Sequence, residues 1–508
     1  MKAVAACFHH TWARLVWGAG EDTQGFARRL FWTSVAVYTL FLNPYLQSSM
    51  TWNFLDLAVS LVETGYPYLA HAEEYGANDT ARTAWGIASG EPLGPSLPVV
   101  PLYMILQGIW GGMPVPLIRL NVAVVLFISI PAAAATVVLI YLQTRRVCSD
   151  EQWCRMVAWL GAFGTQVFPI STMYTKEMLG TLACLAAFHL ASLVRDGEPP
   201  PACRHVAAVG FLASVAGLMV YPLWILVPGL LWYLRPRLDQ RGLVSLLLGA
   251  TPAAGLLLAY NQVTFGHPLL VGYLTLSDPQ GGRFAFPSLR ILWDLTLGPA
   301  GGLFFYHPVL ALFPLAFWHG WRRSFFRRDL WFAGGVFVTL LFVYGAWLEP
   351  HLSKSAFTAS AGFRMLLPAV PLLVCSLGAL EEKWRSLGSR LGALSFLSSV
   401  AFASSGLIPS SELPAVYVVK VAATTLASGL LFADLLPHMM GIETLHTAIA
   451  SHKISGIDLW GHPDLAALVV RQLAFRMVSL GLFLAVATVL VRVRFSSAAA
   501  RGKAVVDS

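Results

Sequence analysis

The sequence predicts an all-α integral membrane protein of about 12 transmembrane helices (roughly 11 to 13), with a long first external loop that carries interfacial helices. Three observations predict it. The chain of 508 residues is 56% hydrophobic and only 12% charged, about half the charge of a soluble domain. Apolar runs of about 20 residues recur along it, the length that crosses hydrocarbon. Its Lys and Arg gather in short loops on one side of those runs, as the positive-inside rule requires.

The runs lie at 30–47, 116–142, 152–171, 177–194, 206–220, 222–234, 241–265, 300–320, 330–348, 364–381, 391–408 and 466–491. The stretch 96–112 is apolar too. Counting it as a span would put Arg145 and Arg146 on the same side as the first long loop, against the clusters at 322–328 and 383–390. It reads as a re-entrant or interfacial helix with both ends outside, and its two prolines, Pro98 and Pro101, suit a helix that does not span. The segment 414–433 reads the same way, as external and membrane-lying. With this arrangement 23 of the 34 Lys and Arg fall on the cytoplasmic side, which puts both termini there. The first 29 residues contain Glu21, Asp22 and several aromatics, with no cleavage signal, and read as a cytoplasmic lead-in.

The organisation is one membrane module, 1–408, followed by 409–508, an external segment with a final span and a cytoplasmic tail. Three long segments lie outside: 48–115, 266–299 and 409–465. The net charge of +8 is spread among short cytoplasmic turns, so it signals orientation and not nucleic-acid binding. No cysteine pair has zinc-ligand spacing and no cysteine lies in an external loop, so disulfides and metal thiolates are not expected. Walker, Rossmann, HExxH and GxSxG patterns are absent where they would have to stand.

The external segments hold the candidate chemistry. Asp56 lies in the helix-like pattern FLDLAVSLVETG, among Leu55, Val59 and Val62. A carboxylate among apolar residues is costly to hide and suits a general base, but it equally reads as a charge at a helix N-terminus. Asn78-Asp79-Thr80 reads as a turn or helix cap. Glu91-Pro92-Leu93-Gly94-Pro95 is a rigid turn that would hold Glu91 in one place. Tyr174-Thr175-Lys176-Glu177 occupies a tight external turn, either facing the same vestibule as Asp56 or snorkelling to the interface. Asp278 and Arg283 stand in a Gly-rich loop, and Phe304, Phe305 and Tyr306 resemble an interfacial aromatic belt. Lys354 and Arg364 stand at external span ends, where an Arg fork suits a phosphate.

These segments, in this order, resemble the GT-C superfamily of lipid-carrier-dependent glycosyltransferases, on the branch of protein mannosyltransferases and the lipid A aminoarabinose transferase. LDLAVSLVETG with Asp56 matches the family's loop Asp. SGEPLGPSLPVVPLY resembles its proline turn into a non-spanning helix, LIRLNVAV through YLQTRR its next span, and GTQVFPISTMYTKEML the segment with an external acid, here Glu177. LGPAGGLFFYHPVL and GFRMLLPAVPLLV resemble two later motifs. The matches spread over residues 30–380. Two cations of the family pattern are missing: Glu91 stands where the proline turn usually has Lys, and Ala300-Gly301 replaces an Arg.

The resemblance implies inverting transfer of a sugar from a polyprenyl-phosphate donor to a glycan, lipid or protein acceptor, at the outer face of the plasma or inner membrane. It implies Asp56 as base. Arg364, Lys354, Arg119 and Lys176 would meet the donor phosphate, and Glu91 and Tyr306 would position the acceptor or loop. Asp79 and Glu177 would orient the acceptor or, with Asp56, hold a divalent ion such as Mg or Mn. A transporter or lipid flippase is the alternative. It predicts charges in mid-span, broken helices and pseudo-symmetric halves.

Overall fold

A computed structural model describes residues 22–42, 49–73, 79–83, 86–197, 202–274, 284–299, 301–322, 326–349 and 364–405. The expected span 466–491, the segment 414–433, and Asn78, Asp278, Arg283 and Lys354 lie outside the described residues.

The first helix, α1 (Thr23–Leu40), starts seven residues before the expected span. The cause is local: Asp22 caps it, accepting the Gly25 amide at 2.8 Å. The last seven residues of the expected lead-in, 23–29, are therefore helix. Of the two arginines there, Arg28 is exposed and Arg29 packs on the protein, with the Arg29 and Arg155 guanidiniums 5.2 Å and 4.7 Å from the Phe26 ring.

The first external segment forms α2 (Ser49–Glu63), a hairpin of β1 (Thr80–Thr83) and β2 (Gly86–Ser89), and α3 (Val99–Ile109). The hairpin departs from the all-α expectation. Its entry residue Asp79 has φ 55° and accepts the Gly90 amide at 2.8 Å. Of the two expected readings of Asp79, turn and helix cap, the structure takes the turn: its carbonyl closes the hairpin. The apolar helix Gly94–Ile109 is shorter than a membrane span.

The bundle follows: α4 (Leu117–Val147), α5 (Glu151–Phe163), α6 (Lys176–Asp196), α7 (Cys203–Met219), α8 (Leu226–Leu234), α9 (Gln240–Phe265), α10 (Leu289–Thr296), α11 (Phe313–Trp321), α12 (Arg327–Leu348), α13 (Val370–Ser376) and α14 (Glu382–Ser405). Among the described residues α4, α6, α9 and α12 are long and apolar enough to cross a membrane. Their outward faces expose Leu248, Val263, Val338 and Phe342, as lipid-facing surfaces do. The protein is a helical membrane protein.

Several expected spans are broken. The helix drawn over 152–171 stops at Phe163 and resumes over Val167–Ser171, while 300–320 and 364–381 are divided by tighter turns at Pro308–Leu312 and Arg364–Ala369. Proline removes an amide donor and crowds the preceding turn, and prolines stand at 169, 308, 368 and 371. In α4, Pro131 follows a widened turn at Val125–Ser129. That turn sets the Ser129 hydroxyl against the Met173 carbonyl at 2.7 Å and so places the chain entering α6. Helices α7 and α9 touch backbone to backbone: a Cβ at Gly210 or Gly249 would collide with the other helix.

Helix α6 carries polar groups at both ends, Lys176 and Glu177 at one and Arg195 and Asp196 at the other. Twenty-one residues at 1.5 Å each separate these ends by about 30 Å, one hydrocarbon thickness. At the second end Arg195 and Tyr233 both meet Asp329, the tyrosine hydroxyl at 2.6 Å, and Arg146 pairs with Asp196. The fully buried Asp, Glu, Lys and Arg side chains of the described spanning helices lie near their ends and not in mid-span.

Candidate functional site

At the first end of α6, four segments distant in sequence meet. Helix α2 is tied to the turn before α6 by the Thr51 hydroxyl, which donates to the Tyr174 carbonyl at 3.0 Å. The Phe54 and Tyr174 rings meet edge to face. Tyr174 in turn donates its hydroxyl to the Pro95 carbonyl. Pro95 belongs to the proline turn, which packs where Gly94 leaves no room for a Cβ against the Leu218 backbone. The proline turn is thereby fixed against both α6 and α7.

The turn presents Glu91, 3% exposed, to Lys176, 2% exposed. The Lys176 ammonium donates to Glu91 Oε2 and to the Tyr273 hydroxyl, and Tyr273 donates to the same Oε2 at 2.7 Å. A cation at a helix N-terminus opposes the helix dipole, so the carboxylate compensates for both burial and dipole. Burial first, then the negative charge of Glu91, hold the Tyr273 phenol well above its ordinary range, keeping it protonated. Lys176 and Glu177, expected either to face a vestibule or to snorkel, are instead packed into the interior. Lys176 commits its charge to Glu91, which leaves it a poor ligand for a donor phosphate.

Asp56 sits eight residues into α2 and is fully buried. It is not a helix-terminus charge. Its Oδ1 lies 2.7 Å from His71 Nδ1, and its Oδ2 accepts the His71 amide at 3.0 Å. The His71 side chain is 36% exposed.

Arg364 reaches α2 at Met50, its guanidinium 3.9 Å from the thioether. The Asp79 carbonyl accepts the amide of Gly90, the residue before Glu91, and the turn Arg364–Ala369 packs on α6. Both Glu177 carboxylate oxygens are buried with no hydrogen-bond partner among the described residues. Five expected site residues therefore gather here: Asp79, Glu91, Lys176, Glu177 and Arg364. Asp56 joins them through α2.

Two expected residues are elsewhere. Arg119 is exposed and lies over the Trp110 ring at 5.4 Å, beyond the C-terminal end of α3, whereas Glu91 precedes its N-terminal end. Tyr306 donates to the Pro299 carbonyl at 2.5 Å and packs on Phe402. His71 and Tyr273 were not singled out from the sequence. His71 left one signal, as the sole histidine of segment 48–115.

Asp56, Asp79 and Glu177 do not fit one metal centre. Among the described residues no three His, Cys, Asp or Glu side chains gather as ion ligands. Both Asp56 oxygens are turned to His71, and Asp79 is exposed on the hairpin while Glu177 is buried.

No family model matches the chain, and no curated protein does. Solved structures do. ArnT from Cupriavidus metallidurans in the apo state is similar at a TM-score of 0.49 and 14% identity, over 90% of this chain and 76% of that one. ArnT bound to undecaprenyl phosphate gives 0.48 and 13%, over 90% and 77%. The Archaeoglobus fulgidus oligosaccharyltransferase in the apo form gives 0.44 and 14%, over 75% of this chain and 56% of that one.

Proposed function

We propose that the protein is a membrane glycosyltransferase that moves a sugar from a polyprenyl-phosphate carrier to an extracytoplasmic glycan, lipid or protein acceptor, with inversion. The supporting observation is the convergence, at one end of the bundle, of a buried carboxylate and its histidine, a neutralised Glu91–Lys176 pair and Arg364. In this reading the chain has about 12 spans with both termini cytoplasmic, and the cluster faces outward across a plasma or inner membrane. The Arg-rich end at Arg145, Arg146 and Arg195 then faces the cytoplasm, in line with the positive-inside rule.

The chemistry follows from the charges. The donor's lipid tail lies in the bilayer and its phosphate at the interface, where Arg364 offers a bidentate fork. The acceptor's hydroxyl or amine loses its proton through Asp56 as it attacks the anomeric carbon. The carbon–oxygen bond to phosphate breaks on the opposite side, which inverts the centre, and Arg364 stabilises the departing charge. Among the described spanning helices, buried charges lie near the ends and not in mid-span, which supports this reading over a transporter or flippase, while the broken spans are a feature that alternative also expects. Purified protein incubated with a panel of polyprenyl-phosphate sugars is expected to release polyprenyl phosphate from at least one. Bilayer passage of such lipids without release would favour the flippase.

A further inference from the structure

We infer that His71 is the group that takes the acceptor's proton, and that Asp56 is its positioning residue. The inference rests on the glycosyl-transfer reading above and changes which atom does the proton transfer.

Asp56 is fully buried, and His71 occupies both its oxygens, one through the ring and one through the amide. An acceptor hydroxyl would have to displace the histidine to reach the carboxylate. The imidazole is the more accessible partner, with about a third of its side chain exposed. Its Nδ1 edge faces Asp56, so its Nε2 edge points away from the carboxylate.

The backbone around His71 is built to hold it there. The Leu69 amide donates to the Ile87 carbonyl of β2 at 2.7 Å, and the Ala70 amide to the Ser60 hydroxyl at 3.2 Å. Leu69 and Ala72, on either side of the segment, are buried in a small core with Leu57, Leu93 and Tyr260. Helix α2 and the hairpin thus clamp the segment from two directions. Leu57, the residue after Asp56, ties that core to α2, and Leu93 ties it to the proline turn that carries Glu91.

A carboxylate accepting from Nδ1–H fixes the neutral ring with its lone pair on Nε2. During transfer the acceptor's proton moves to Nε2 as the acceptor atom bonds to the anomeric carbon. The carbon–oxygen bond to phosphate breaks, and its electron pair leaves with the polyprenyl phosphate. The imidazolium formed beside Asp56 is stabilised by that charge and returns its proton to water. No oxidant or further reactant is needed.

Two measurements on the purified full-length protein test this. The first uses whichever polyprenyl-phosphate sugar the wild type turns over. His71→Gln is expected to lower kcat by roughly 10²–10⁴ with the donor KM unchanged, and added imidazole is expected to restore part of the activity of His71→Ala. Wild-type kcat in His71→Gln, or no rescue of a folded His71→Ala, would overturn the role. The second is nitrogen-15 NMR of the imidazoles, with the His71 signal assigned by its loss in His71→Gln. The neutral His71 ring is expected as the Nδ1–H tautomer, turning to Nε2–H in Asp56→Asn, and Nε2–H in the wild type would overturn the arrangement. If the wild type turns over no donor, the glycosyl-transfer reading fails by itself. The tautomer then decides the Asp56–His71 arrangement independently.

Discussion

Lys176 and Glu91, 85 residues apart in sequence, form a buried ion pair that Tyr273 closes into a ring of three hydrogen bonds. The pair joins the proline turn to the first turn of α6. Where the family resemblance expects a cation in the turn, the cation comes instead from α6 and meets an acid there. The pair is neutral overall, so in the proposed reading phosphate recognition would fall to Arg364.

Removing one partner of a buried ion pair leaves the other uncompensated, at a cost of about 3–5 kcal/mol. Glu91→Gln and Lys176→Met are each expected to lower the melting temperature of the detergent-purified protein markedly. The double variant Glu91→Met with Lys176→Met is expected to recover most of the loss. Additive losses in the double variant would show that the two residues act independently.

Gly272 approaches the Gly90 carbonyl so closely that a Cβ has no room. Gly272→Ala is expected to push Tyr273 away from Glu91, at a cost of about 1–3 kcal/mol, as overpacking does. A thermal melt unchanged from wild type would contradict the close approach.

The far end of α6 offers a control. Asp329→Asn takes the carboxylate from Arg195 and Tyr233, and the loss is expected at about 3–5 kcal/mol. The distance from the candidate site, about 30 Å along α6, predicts an unchanged donor KM in the fraction that remains folded. A raised donor KM would show that this end reports to the site.

Arg364→Met removes the remaining outward guanidinium of the cluster. A hydrogen bond to a charged group contributes about 1.5–3 kcal/mol, so the donor KM is expected to rise by roughly ten- to a hundredfold. An unchanged donor KM would assign the phosphate to another group.

The sequence made the membrane helices readable because hydrocarbon imposes length and apolarity directly, and α4, α6, α9 and α12 lie close to the expected positions. The helical setting of Asp56 was readable from its apolar neighbours. What the sequence concealed depends on contacts between distant segments. Read alone, Glu91 is a residue held by a rigid turn and Lys176 one that faces a vestibule or snorkels, and only packing of the proline turn against α6 buries them together. Asp79 read as either a turn or a helix cap because the same short polar residues serve both. Its φ of 55° and its bond to Gly90 decide for the turn. His71 carries no motif around it, and it acquires meaning only when the segment 69–72 folds back on α2.

The most direct test is release of polyprenyl phosphate by the purified wild type and by Asp56→Asn, across a panel of polyprenyl-phosphate sugars, with folding checked by thermal melt. The expected result is turnover of at least one donor by the wild type and a loss of roughly 10²-fold or more in Asp56→Asn, with both proteins folded. Turnover of none by the wild type, or wild-type turnover by Asp56→Asn, would contradict it.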